Sequence, residues 1–306
     1  MVDVVTVGET MAALWADRPV RLGGALRLSI AGAESTVAIG LARLGHAVRW
    51  VGVVGADELG ELIRRTLRAE NVDVSCVRTE PDAPTGLVLF EPRLADITRV
   101  QYFRSHSAGS RLSVEDIAPA VAERPRVLHL TGITPALGPG PRAAAARAAA
   151  VAREQDAVVC LDVNYRSRLW SPSQARDTLA DLVPYATIVI ASDGELDLVG
   201  SAGDLLDRGV REVVVKRGAA GALVHTTDGT ATVHARQVPV VNTIGAGDAF
   251  VAGYLSGFLD QLSIPDRLHR AVTVAAFAVS SADDWSGLPT RSELTLADLD
   301  PGTAIR

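Results

Sequence analysis

Val127-Leu128-His129-Leu130, Val158-Val159-Cys160-Leu161-Asp162, Ile188-Val189-Ile190-Ala191 and Glu212-Val213-Val214-Val215-Lys216 are four short apolar runs separated by polar segments. The spacing of those segments predicts helices at Pro141–Gln155, Ser173–Leu182, Glu195–Val199 and Ala202–Arg208, the first Ala-rich with Pro at its start. Unbroken Val/Ile runs alternating with helices are the pattern of parallel strands buried on both faces. The expected fold is therefore α/β: a doubly wound, mainly parallel sheet with helices on both sides. Ligands of such sheets bind beyond the carboxyl ends of the strands. The residues that follow each run are the candidates for chemistry.

Working outward, Val2–Val7 reads as a further buried strand opening into Gly8-Glu9. Met11–Leu28, punctuated by Pro19 and Gly23-Gly24, reads as a hairpin. Gly86–Phe90 and Arg99–Phe103 are two more strands around a polar connection, and with the hairpin they suit a small separate sheet. Val37, Ile39, Leu41 and Leu44 before Gly45 mark a helix, Arg49–Val54 a strand, and Glu58–Glu70 a helix after Gly55-Ala56-Asp57. Ala222–His225 and Thr230–Ala235 flank Asp228-Gly229, a hairpin signal, and Pro265–Ser280 is a long helix. A single domain over residues 1–306 accommodates all of this.

Composition excludes several classes. The chain is 48% hydrophobic, ample for a core. Its net charge is −6 and no basic tract with interleaved aromatics points to nucleic acid. The start, Met1-Val2-Asp3-Val4-Val5, lacks a basic n-region and reads as a strand, not a signal peptide. The longest nearly apolar run, Ala271–Val279, is far short of the roughly 18–20 residues a membrane helix needs. Cys76 and Cys160 stand apart with no CxxC, as free thiols in a reducing cytoplasm do. The six histidines have no metal-ligand spacing.

Asn242-Thr243-Ile244-Gly245-Ala246-Gly247-Asp248 carries the sharpest chemical signal. Phe250, Val251, Tyr254, Leu255 and Phe258 follow at helical spacing, so a helix begins near Gly247. Its free N–H groups and positive dipole end form an anion site, and small residues let a phosphate approach the backbone. Asp248 would repel a resting phosphate but suits a base that deprotonates an attacking hydroxyl. Taken alone, the stretch reads first as a helix start with an acidic first turn.

In context the stretch resembles the Asp-Thr-x-Gly-Ala-Gly-Asp signature of the ribokinase-like carbohydrate kinases, with Asn242 in place of the first Asp. Gly55, Asp57 and Gly60 resemble that family's Gly-x-Asp-x-x-Gly pattern. Asp162-x-Asn164-x-Arg166 followed by Trp170-Ser171-Pro172, Arg99–Arg104, Ser107–Ser110 and Thr131–Leu137 resemble the 2-keto-3-deoxygluconate kinases within it. The resemblance covers essentially the whole chain. It implies the ribokinase-like fold with a small β-sheet lid, here from segments 11–30 and 84–107.

It also implies roles. Asp248 would be the catalytic base, with Gly245, Ala246 and Gly247 as the anion hole. Gly32, Tyr102, Arg104, Arg166, Asp248 and Asp284 would contact the sugar. Asn164, Arg166, Ser192, Lys216, Gly218, Gly221 and residues 245–247 would hold ATP. Glu195 would act on Mg²⁺ from its outer shell, through water, since Mg²⁺ keeps several waters. Three of these have plainer readings. Ser192 and Glu195 also form a capping box; Lys216-Arg217-Gly218 also suits a plain β-turn; Arg104 also suits a solvated lid residue. If the strand over Leu161-Asp162 continues, Asp162, Asn164 and Arg166 would alternate toward one side.

The chain departs from the pattern at Ala31 and Thr36 in the sugar loop, and at Val88, where the subgroup often carries an aromatic sugar contact. The implied activity is ATP-dependent phosphorylation of the terminal hydroxyl of 2-keto-3-deoxygluconate. Fructose, ribose or another deoxyketo sugar acid are the alternatives, and an inactive sugar- or nucleotide-binding regulator is a rival of another class. A homo-oligomer through the lid is the expected partnership.

Overall fold

The computed structural model describes residues 2–94, 97–299 and 303. Met1, at the start of the N-terminal reading, and positions 95–96 within the lid segment lie outside the described residues. In chain order the strands are β1 (Val4–Val7), β2 (Met11–Ala16), β3 (Leu26–Ala31), β4 (Val48–Gly55), β5 (Val77–Glu80), β6 (Leu87–Leu94) and β7 (Ile97–Phe103). They continue as β8 (Val127–Thr131), β9 (Val158–Asp162), β10 (Ile188–Ser192), β11 (Glu212–Lys216), β12 (Ala222–Thr226) and β13 (Gly229–Val233).

Nine of them form one sheet in the order β13-β12-β11-β10-β9-β8-β1-β4-β5. From β11 to β5 the pairing is parallel; β11-β12-β13 are antiparallel, closing the sheet with the expected hairpin. Chain order reverses direction between β8 and β1. The four runs that predicted the fold are adjacent strands. Alternate residues of each serve opposite cores, as a pleat requires. Val189 and Ala191 face one cluster, where the helix Pro139–Glu154 packs Ala144, Ala148 and Ala152. Ile188 and Ile190 face the other, against helices Ala33–Arg43, Ala246–Leu259 and Ile264–Val279. The sheet is thus covered on both faces, as the strand composition demanded.

Helix starts follow local chemistry. Ser171 caps Pro172–Leu182, accepting from the Gln174 N–H at 3.3 Å, and Ser263 caps the helix that opens with Pro265 at its second position. Asp57 caps Glu58–Ala69 by accepting from Gly60 at 2.8 Å, and also holds the Thr85 N–H at 2.8 Å. The predicted Glu195–Val199 helix is a single turn, Asp193–Leu196, opened by the Ser192–Glu195 capping box.

Four strands build the small sheet in the order β3-β2-β6-β7. The β2–β3 and β6–β7 pairs are antiparallel, while β2 and β6 run parallel. Its inner face, Met11, Ala13, Ala31, Val88 and Phe90, forms its own apolar cluster. Trp15 stacks on Phe90 with ring centroids 3.9 Å apart. On the sheet's other face Leu28, Leu26 and Phe103 are exposed. Among the described residues no helix is long and apolar enough to cross a membrane. Cys76 and Cys160 are free, and His129 is a core histidine whose Nδ1 meets Thr6 Oγ1 at 2.8 Å.

Candidate active site

The turn before helix Ala246–Leu259 is organised by Asn242. Its Oδ1 accepts from the Ile244 N–H at 3.0 Å and its amide donates to Ala282 at 3.3 Å. The N–H groups of Val241 and Asn242 reach the Val279 carbonyl at 2.7 and 3.1 Å. Gly245 has φ +79°, and a Cβ there would lie 2.5 Å from the Asp284 carbonyl oxygen. Both facts exclude any other residue. At Gly247 a Cβ would meet only Lys216 Nζ, at 3.5 Å, so protein packing leaves that space open.

Asp248 is the third residue of the helix and is buried. Asn164 donates to its Oδ1 at 3.0 Å. Burial raises the Asp248 pKa above the ordinary carboxylate value, and Arg166, Lys216 and Asn164 only partly counter it. A raised carboxylate is the better proton acceptor for an alcohol.

The expected alternation of Asp162, Asn164 and Arg166 does not occur. Strand β9 stops at Asp162, and Asn164 turns left-handed at φ +38°. Asp162 instead holds the Lys216 ammonium at 2.8 and 3.0 Å, across from β11. Burial disfavours the Lys216 charge, but Asp162, Glu195 and Asp248 outweigh it and keep the lysine protonated. Arg166 donates to the Tyr165 carbonyl at 3.2 Å and lines the same cavity as Asp248. Glu195 spends one oxygen on the Ser192 N–H and the other on the Tyr165 N–H, each at 2.8 Å. Burial alone would raise its pKa; Lys216 and those N–H groups lower it overall. The capping reading of Ser192 and Glu195 is therefore realised, and it ties β10 to the loop that carries Arg166.

Toward the small sheet, Gly32 lies where a Cβ would meet the Glu9 carbonyl oxygen at 2.7 Å. Thr36 donates to Asp284 Oδ2 at 3.3 Å, while Asp284 Oδ1 is buried without a partner. Burial, with Asp283 and Asp248 nearby, pushes Asp284 up to about 8. Tyr102 and Arg104 reach the cavity from the lid, the guanidinium 5.6 Å from the ring centre. Arg104 is not a bare lid cation: it pairs with the buried Glu9, which also accepts from Ser107.

One cavity of about 460 Å³ thus gathers Gly32, Tyr102, Arg104, Asn164, Arg166, Ser192, Glu195, Lys216, Gly218, Gly245, Gly247, Asp248 and Asp284. A neighbouring cavity of about 420 Å³ shares Lys216, Gly218 and Gly247 with it, and adds Gly221 and Ala246. Its far wall is apolar, with Val238, Phe250, Val272, Ala276 and Val279. Every site residue expected from sequence lines one of the two. Sequence reasoning missed Glu9 and Asp162 as the partners of Arg104 and Lys216, because neither pairing has a local signature.

Comparison with known proteins agrees with this geometry. The model of the pfkB family carbohydrate kinases matches residues 1–291. The chain is 36% identical to a 2-dehydro-3-deoxygluconokinase of Bacillus subtilis, covering 95% of this chain and 94% of that one. It is 34% identical to a 2-dehydro-3-deoxygalactonokinase of Haloferax volcanii, over 90% of each. A PfkB protein from Polaromonas sp. JS666 superposes with a TM-score of 0.87 at 35% identity, covering 97% of this chain and 100% of that one.

Beneath the site, Glu34 is wholly buried, accepting from Thr131 at 2.6 Å and Thr134 at 2.9 Å. Burial is the dominant cause that lifts it to about 7; the two threonines pull it down by less. Its folded pKa lies above its unfolded value, so its contribution is full below about pH 4.5 and is lost as pH rises to about 7. Glu34→Gln cannot ionise and should flatten that part of the stability profile, by on the order of 2 kcal/mol. Urea denaturation at either end of the window measures it; an unchanged slope would show that Glu34 is already ionised in the fold.

Proposed function

The chain belongs to the pfkB family of carbohydrate kinases, and we propose that its sugar substrate is 2-keto-3-deoxygluconate, phosphorylated at the terminal hydroxyl. One observation carries the choice. A single cavity presents Asp248 and the open Gly245–Gly247 turn together with Arg104, Arg166 and Tyr102. A sugar acid has a carboxylate that a neutral sugar lacks, and a guanidinium matches it in a planar bidentate fork. The names of the two relatives, both kinases of 2-dehydro-3-deoxy sugar acids, support the same reading.

ATP fits the joined cavities. The apolar wall of Phe250, Val272 and Val279 suits an adenine, and Lys216, Gly218 and Gly221 lie between it and the turn. In the reaction Asp248 would accept the proton of the terminal hydroxyl while that oxygen attacks the γ-phosphorus, and the bond from that phosphorus to the β,γ-bridging oxygen breaks, its electron pair leaving with ADP. The N–H groups of the 245–247 turn and the Lys216 ammonium receive the charge on the transferring group. Asn164 holds the Asp248 carboxylate in place. Asp284, whose Oδ1 is buried without a partner, would hydrogen-bond a sugar hydroxyl.

The substrate test is a comparison of kcat/KM for 2-keto-3-deoxygluconate, its galactonate epimer, fructose and ribose. The acids should lead, and Arg166→Ala should cost them on the order of 10²-fold or more, as losing one partner of a charge pair does. A lead for fructose or ribose would overturn the acid reading and leave the kinase standing. Asp248→Asn should lower kcat about 10²–10⁴-fold with sugar binding kept. Turnover near wild type in a folded variant would remove Asp248 from the role of base.

Mg²⁺ would sit on the nucleotide phosphates and water, neutralising phosphate charge, with Glu195 reaching it only through water. Glu195→Gln should raise the Mg²⁺ concentration for half-maximal rate by a few-fold. An unchanged Mg²⁺ response with a lowered melting temperature would reduce Glu195 to a helix cap. Two free thiols fit a reducing cytoplasm. The exposed Leu26, Leu28 and Phe103 on the outer lid face fit a homodimer. Leu28→Glu should then shift sedimentation from dimer to monomer; a wild-type monomer at high concentration would refute the lid contact.

A further inference from the structure

A third cavity, of about 340 Å³, opens between β7 of the lid and the loop after β9. Arg99, Arg104, Arg166 and Arg168 line it, with Tyr102 and Tyr165, and its lining includes no Asp or Glu. Arg104 is paired with Glu9, and Arg166 also faces the Asp248 carboxylate in the adjoining cavity. Among the described residues no ion pair holds Arg99, Arg166 or Arg168. Arg168 Nη1 donates to the Val100 carbonyl at 2.8 Å, which bridges lid and core across the cleft and leaves the rest of its guanidinium free. Unpaired guanidiniums gathered in one cleft are uncommon in a chain of net charge −6. Left without an anion they repel one another.

We propose that this cleft is a second anion subsite that takes a phosphate group and, while occupied, weakens binding of the sugar acid. Guanidiniums present paired N–H donors to a tetrahedral oxyanion, and the two tyrosine hydroxyls can complete its hydrogen bonds. Tyr102, Arg104 and Arg166 line both this cleft and the sugar cavity. An anion in the cleft draws on the same guanidiniums that would receive the substrate carboxylate. Occupation is therefore antagonistic to the acid end of the substrate and leaves the Asp248 end untouched. The phosphate group could belong to inorganic phosphate or to a phosphate monoester, which share this chemistry.

The test has a binding arm and a kinetic arm. Calorimetry with inorganic phosphate, and separately with glycerol phosphate, at constant ionic strength needs no turnover, so its outcome is independent of which sugar is phosphorylated. Beside any phosphate held at the Gly245–Gly247 turn, one further bound anion per chain is expected, its affinity reduced about tenfold in Arg168→Gln and in Arg99→Gln, the loss of one charge-assisted contact. Tighter binding of the monoester identifies an organic phosphate as the source; equal binding identifies the free ion. In the kinetic arm, which rests on the sugar-acid reading, phosphate should raise KM for the acid several-fold with kcat unchanged. Both variants should relieve that effect while keeping basal kcat. Arg168→Lys, which retains the charge, should restore most of it, separating anion binding from the Val100 bridge. No binding, binding unaltered in both variants, or inhibition competitive with ATP alone would each overturn the proposal.

Discussion

The site rests on the close contact between Gly245 and Asp284. A left-handed backbone with no Cβ lets the turn lie against the main chain of Asp284, 2.5 Å from where a Cβ would sit. That contact aims the first N–H groups of helix Ala246–Leu259 into the cavity and sets Asp248 one residue beyond them. The segment on the other side of the contact is a hub. Asp283 pairs with Arg27 of β3 at 2.7 Å, and Trp285 Nε1 donates to the Ile30 carbonyl at 3.2 Å. Asp284 itself receives Thr36. The Gly245–Gly247 turn, the Gly32–Thr36 segment and the small sheet therefore share one support.

Charge is the second constraint. Asp162, Glu195, Asp248 and Asp284 crowd a region served by Lys216 and Arg166. The structure resolves the crowding by giving each acid a different environment. Asp162 is held by Lys216, although burial still lifts it to about 6, and Glu195 is kept a carboxylate by Lys216 and two backbone donors. Asp248 and Asp284 are left with raised pKa values, mainly by burial. Groups whose environments separate their proton affinities are the ones able to divide acid and base work.

The lid combines two demands. Its inner face must be apolar enough to hold together four strands that have little core of their own, and Met11, Val88 and Phe90 supply that. It also brings a cation, Arg104, to the wall of the cavity on a tether: Glu9, just after β1, pairs with it and accepts from Ser107. Glu9 thereby links the end of a central strand to the end of the lid.

What the sequence determined by itself is what local physics encodes. Apolar runs alternating with helical spacing required a doubly wound sheet, since such strands can be buried only between two helical layers. Turn residues located the hairpins, and Gly245-Ala246-Gly247-Asp248 marked the start of a helix with an acid in its first turn. Residue identities at strand ends, such as Lys216 and Arg166, were legible as candidates because open sheets place their sites there. Tertiary structure alone decided the pairings. Asp162 reads on paper as a pocket residue, yet it faces Lys216, because β9 ends where Asn164 turns left-handed. Glu9 carried no motif and became the partner of Arg104 across 95 positions of sequence. The parallel pairing of β2 with β6 was equally silent, for two strands with the same face pattern can pair in either direction. Periodicity along a chain constrains which residues share a face; it contains no information about which distant face, or which distant charge, will be opposite.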